Sequence, residues 1–116
     1  MAHEAISLAL ELAKILHEVW LFSEVCKELH DRCLTLLPIL GDPSLNNNPA
    51  VDNLKKLLQE CIEYLKACRD DNIHKRLARG AIEKLLLKKV PTFKEKIQVW
   101  IATASLSVTV SSSPQL

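Results

Sequence analysis

The chain has 116 residues, enough for one domain around a single modest core; 48% are apolar, 25% are charged and only two are glycine, a composition that leans towards helix. The net charge of +1 conceals an asymmetry: residues 1–71 carry seven Lys+Arg against twelve Asp+Glu (7 − 12 = −5), and residues 72–116 carry eight against two (8 − 2 = +6). No run of eighteen uncharged apolar residues exists, which excludes a constitutive transmembrane helix, and the acidic start at Glu4 lacks the basic flank of a secretory signal.

Residues 3–21 are predicted to be helical. Glu4, Ser7, Glu11, Lys14 and Glu18 recur three or four apart as one narrow polar stripe, while Ile6, Leu10, Ala13, Ile15, Leu16, Val19 and Trp20 are apolar. Such a helix is buried over most of its circumference, and it is also one that can exchange protein neighbours for lipid. Leu10, Ile15, Leu16, Val19 and Trp20 are therefore candidate membrane-insertion residues. A second helix over 23–40 places Phe22, Val25, Cys26, Leu29, Cys33, Leu36, Leu37 and Leu40 on one face. A continuous rod of about forty residues is unusual, so a tight turn is expected near Leu21–Glu24, and Pro38 is expected to kink or end the helix.

Residues 41–49 read as the clearest loop. Asn48 before Pro49 is a good helix start, because the Asn side chain accepts an orphan amide and Pro has none to satisfy. The third helix, about 49–69, carries Val51, Leu54, Leu58, Cys61, Leu65 and Cys68 at spacings of three and four, a bundle seam. Asp70-Asp71-Asn72 is expected to break it. A shorter basic helix follows, with Ile73, Leu77, Ala81, Ile82, Leu85 and Leu86 inward and His74, Lys75, Arg76, Arg79, Lys84, Lys88 and Lys89 mainly outward, ending at Val90-Pro91. Thr92 and Glu95 have capping-box spacing for a last helix presenting Phe93, Ile97, Trp100, Ile101 and Ala104 and running to about Val108. The expected architecture is an all-α four-helix bundle over residues 1–110, with an additional short helix between the third and fourth. Residues 111–116 read as a disordered tail or the start of a linker.

Few of these residues suggest chemistry. Cys26, His30 and Cys33 share a helical face, but residues seven apart rise about 10 Å, too far for both sulfurs to reach one ion. They read as core, as do Cys61 and Cys68, and no metal or cofactor is expected. His17, beside Glu18 and three residues from Lys14, reads as a solvated histidine on the polar edge of helix one; a pH switch would need a partner that the sequence does not name. No glycine-rich phosphate loop, nucleophile elbow or acid/base carboxylate pair occurs, so no enzyme activity is expected. With no export signal, the four cysteines are expected to be reduced and the protein cytoplasmic.

The basic segment is the strongest functional signal. Lys75, Arg76, Arg79, Lys84, Lys88, Lys89, Lys94 and Lys96 fall within residues 75–96, opposed only by Glu83 and Glu95. Each Lys or Arg near an anionic bilayer contributes about 1 kcal/mol, so these are the candidate lipid-binding residues. The alternative is two solvated faces that complement each other within one bundle. Nucleic acid would suit the charge, but no base-reading helix or stacking aromatic is evident, so no nucleic-acid partner is expected.

The order of features resembles a known family. A helix closing in Val-Trp-Leu-Phe leads to Cys-Lys-Glu-Leu-His-Asp-Arg-Cys-Leu-Thr-Leu-Leu, a Pro/Asn loop, and the seam Leu-Lys-Lys-Leu-Leu-Gln-Glu-Cys-Ile-Glu-Tyr-Leu. A basic stretch around Lys75-Arg76-Leu77 follows, then Phe-Lys-Glu-Lys-Ile-Gln-Val-Trp before small residues. From about residue 5 to 110 this resembles the N-terminal helical-bundle domain of mixed lineage kinase domain-like pseudokinases, and is similar to the HeLo-type bundles of plant and fungal immune proteins. The resemblance implies self-assembly, recruitment to anionic phospholipid at the plasma membrane, permeabilisation and cell death. It further implies an attached C-terminal kinase-like or nucleotide-binding domain. By order of elements, Lys75, Arg76 and Arg79 fall after the third bundle helix and Phe93 to Trp100 on the fourth; the acidic first helix departs from relatives with basic residues near the N-terminus. A protein-binding adaptor that never touches lipid is the alternative, and a disulfide-bonded helical cytokine is a third.

Overall fold

The computed structural model describes the backbone of residues 2–20, 23–45, 48–75 and 79–112, and the side chains of 3–18, 23–43, 45, 48–70 and 80–104. Helix α1 spans Ala2–Ile15 and widens into a π-helical turn, Leu16–Trp20. Ser23 is extended (φ −94°, ψ 128°) and its carbonyl accepts the Lys27 amide, opening α2 at Glu24–Leu40. The turn expected near Leu21–Glu24 is therefore present at Ser23, while Leu21 and Phe22 lie outside the described residues. Pro38 sits in the last turn of α2, which ends two residues later.

A short 3-10 turn, Pro43–Leu45, buries Leu45 and leads into α3, Pro49–Lys75. Its start is the cap expected from sequence: Asn48 Oδ1 accepts the Ala50 amide at 2.9 Å. Helix α4 then runs unbroken from Arg79 to Ser112.

The result is a four-helix bundle, all-helical among the described residues. Three sequence boundaries are corrected. Asp70-Asp71-Asn72 does not end α3, because polar residues cost an exposed helix only a few tenths of a kcal/mol each, roughly, and Leu65 and Cys68 anchor the preceding turn in the core. Val90-Pro91 does not end a separate basic helix: that segment is the first half of α4. Pro91 removes the amide that would pair with the Leu87 carbonyl, but Leu87 is exposed, where water can serve that carbonyl, and Leu86, Val90, Phe93 and Ile97 bury the opposite face. Thr92 is consequently mid-helix and caps nothing. The backbone is also helical at Ser111 and Ser112, residues assigned from sequence to the tail; residues 113–116 lie outside the described residues.

Helix α1 packs on α2 and α3, and α4 packs on the same two, which sets α1 diagonally opposite α4 and α2 opposite α3. The register is visible in cross-helix pairs. Glu4–Lys55 (3.1 Å) and Glu11–Lys66 (3.2 Å) join parallel α1 and α3, and Glu28–Lys94 joins parallel α2 and α4. Tyr64 donates to the Leu85 carbonyl, and Trp100 Nε1 donates to the Ala50 carbonyl at 2.9 Å, fixing α4 antiparallel to α3. Between the helices Leu12, Leu16, Leu29, Leu36, Leu54, Leu58, Leu65 and Leu86 are fully buried.

Candidate functional site

Helix α4 carries the basic segment, and packing sorts its lysines. Ile82, Leu86, Val90, Phe93, Ile97 and Ile101 face the core at spacings of three and four, so the positions between them turn outward. Lys84 and Lys88, one turn apart, are exposed on the outer side, whereas Lys89 and Lys96 are exposed on the flank towards α3. Lys94 is not free. It is half-buried against α2 and bonds Glu28, whose carboxyl it holds below the usual carboxylate range. Lys89 lies 5.5 Å over the Tyr64 ring, a cation–π contact that tethers its stem to α3. Lys89 and Lys96 flank Thr92 and Phe93 in a crevice of about 270 Å³, closed on the α3 side by Glu60.

The remaining basic candidates are placed only by backbone. Lys75 ends α3 and Arg79 begins α4, with side chains outside the described residues, and Arg76 lies outside them altogether. Exposed side chains therefore show a smaller surface than eight charges: Lys84, Lys88, Lys89 and Lys96, tempered by exposed Glu95.

Sequence reasoning missed the apolar half of this surface. Leu87 and Val99 are each 59% exposed on α4. The signal was available: Leu85, Leu86 and Leu87 are consecutive, and three successive positions on a helix cannot share one face. Leu87 thus stands beside the stripe of Lys84 and Lys88, and on its other side lines a crevice with Ser23, Glu24, Val25 and Glu83.

The proposed insertion residues divide in the same way. Ile15 and Leu16 are buried in the core, while Leu10 is 51% exposed in the polar stripe beside Glu11; Val19 and Trp20 lie outside the described side chains. No helix among the described residues is long and apolar enough to cross a membrane.

The four cysteines line the bundle centre. Cys26 and Cys33 on α2 oppose Cys61 and Cys68 on α3, all buried and none in a disulfide. Burial pushes the Cys26 thiol up to about 11, despite a hydrogen bond from Ser23, and that of Cys33 up to about 12; Cys61 is raised further, by burial first and then by Cys33 and Cys26. Thiols held protonated in this way are inert packing groups. Tyr64 is raised to about 12, first by burial and then by its neighbour Cys68. No group of three or more His, Cys, Asp or Glu among the described residues is arranged to hold a metal ion.

Fold and surface together define a class: a four-helix bundle with a cationic, partly apolar outer flank. No family model matches the chain, and no curated protein or solved structure is found to be similar to it.

Proposed function

We propose that this bundle is the non-enzymatic executioner domain of a cell-death or immune effector, one that oligomerises and binds or permeabilises anionic membranes. The observation that supports it is the presence on one helix, within five residues, of exposed Lys84 and Lys88 and exposed Leu87. Lysines attract the anionic leaflet and the leucine enters the headgroup boundary, the two ingredients of interfacial binding. Binding of this kind uses the folded bundle as it stands. Insertion of Leu10, Ile15, Leu16, Val19 and Trp20 is a later step, since Ile15 and Leu16 are core residues and α1 has to leave the bundle first. In this scheme the protein is cytoplasmic at rest, restrained by an attached C-terminal kinase-like or nucleotide-binding domain. On activation it is recruited to the plasma membrane as a homo-oligomer.

A second reading is a protein-binding adaptor that self-associates or regulates an attached domain without lipid. Leu10 (51% exposed) on α1 and Leu34 (46%) on α2 favour it, because they are apolar positions outside the basic helix. Co-sedimentation and dye release with anionic and neutral vesicles, at low and physiological salt, separate the two. Binding and leakage confined to anionic vesicles are expected. A folded protein that ignores both kinds of vesicle while forming oligomers would overturn the membrane reading and favour the adaptor.

A further inference from the structure

Two histidines that have no partner in the sequence meet in the fold. His17 belongs to the π-helical turn after α1, and His30 lies midway along α2; their ring centroids are 5.9 Å apart, with the planes inclined by 32°. His17 is exposed and His30 half-buried, so the pair opens to solvent from one side. The π turn matters because such turns are rare interruptions of α-helices and concentrate at functional positions.

We propose that His17 and His30 are the two protein ligands of a divalent transition-metal site, of the zinc class, which ties the end of the first helix to α2. The distance fits. With a metal–nitrogen bond of about 2.0–2.1 Å and the ring centroid about 1.1 Å behind the nitrogen, two imidazoles on one tetrahedral ion hold their centroids about 5 Å apart. The difference from 5.9 Å is within reach of a side-chain rotation of exposed His17. Imidazole nitrogen selects borderline ions such as Zn²⁺, Cu²⁺ and Ni²⁺ over Ca²⁺ or Mg²⁺, which take oxygen.

Cys26 and Cys33, four before and three after His30, are buried on the core side and form no ligand group with the pair, so this is a nitrogen site and not a thiolate one. Around the pair, exposed Lys14 and Lys27 are balanced by exposed Glu18 and Asp31. No third ligand joins the pair among the described residues. Water therefore completes the shell, and the site is weaker and more exchangeable than one with three or four protein ligands. The site stands independently of the membrane reading and would exist equally in an adaptor.

The test is a calorimetric titration of Zn²⁺ into the full chain under reducing conditions. His3→Ala and His74→Ala form the background, so that only His17 and His30 remain of the four histidines. One ion per chain and a chelator-reversible rise in melting temperature are expected. His17→Ala and His30→Ala should each weaken binding by at least about tenfold. Because His17 is exposed, its variant folds, which far-UV circular dichroism checks, and His17→Gln provides a second form. Absence of saturable Zn²⁺ binding, or binding that survives in either single variant (as it would if the cysteines held the ion), overturns the proposal.

Discussion

Lys84 and Lys88 offer the most direct test of the cationic flank, because Lys94 on the same helix serves as an internal control. Both are exposed and pair with no carboxylate among the described residues, whereas Lys94 is bound to Glu28. Replacing Lys84 and Lys88 together by Ala removes two charges, each contributing about 1 kcal/mol at an anionic surface, so affinity should fall by about 2 kcal/mol. That is about thirtyfold in the partition constant. Lys94→Ala should change vesicle binding less than about threefold, since its charge is already neutralised. The assay is co-sedimentation with phosphatidylserine-containing vesicles at two ionic strengths. The gap between the double variant and the parent should narrow at high salt as the screening length shortens from about 10 Å at 0.1 M. Equal binding by the double variant, with helicity intact, would refute the assignment, and so would a Lys94→Ala defect as deep as that of the pair.

Three further outcomes follow from the same packing. Leu87→Ser should weaken vesicle binding while leaving thermal stability within about 0.5 kcal/mol, because the side chain is already 59% exposed; a large drop in melting temperature would contradict its placement. Tyr64→Phe removes the hydroxyl that donates to the Leu85 carbonyl and should cost about 1 kcal/mol in urea unfolding, and no measurable loss would show that this bond does not tie α3 to α4. The raised thiols make the fold sensitive to alkali. Their folded values (about 11 for Cys26 and about 12 for Cys33) exceed the ordinary 9.0, so the folded state holds more protons above pH 9. The stabilisation is full below pH 9 and is lost as pH rises towards 11–12. A parallel melt of a Cys26→Ala/Cys33→Ala variant should be flatter over that window, and identical pH profiles would exclude these two cysteines as the cause.

Where the sequence was legible, a local interaction decided the outcome. Asn48 and Pro49 specify the start of α3 through one side-chain-to-amide bond, and the structure contains that bond. The seam from Val51 to Cys68 was readable because burial at spacings of three and four leaves a periodic mark. The boundaries that were misplaced, at Asp70-Asp71-Asn72 and Val90-Pro91, are local break signals overridden by packing on either side. Lys94 illustrates the same limit for the candidate site. Its charge is plain in the sequence, but its commitment to Glu28, sixty-six positions away, arises only when α2 and α4 pack in parallel. The approach of His17 to His30 is likewise a product of the turn at Ser23, and no one-dimensional spacing encodes it.

Leu16 distinguishes a bundle that merely docks on a membrane from one that opens there. Releasing α1 exposes Ala5, Ala9, Leu12, Ala13, Ile15 and Leu16, all buried in the resting fold. The three large side chains alone account for roughly 5–9 kcal/mol at 1.5–3 kcal/mol each. That rivals the entire stability of a small domain, about 5–15 kcal/mol, so α1 does not leave spontaneously, and in the proposed scheme docking through α4 comes first. Leu16→Ala lowers this barrier by the cost of a buried truncation, about 2–5 kcal/mol, without touching the basic flank. If insertion of α1 drives permeabilisation, the variant should bind anionic vesicles as the parent does and release dye at lower protein concentration. Its buried cysteines should also become reactive towards a thiol reagent on the vesicles sooner than in solution. Unchanged leakage alongside a clearly lowered melting temperature would mean that opening α1 is not the step that limits permeabilisation, and would leave the closed bundle, with Lys84, Leu87 and Lys88, as the active form.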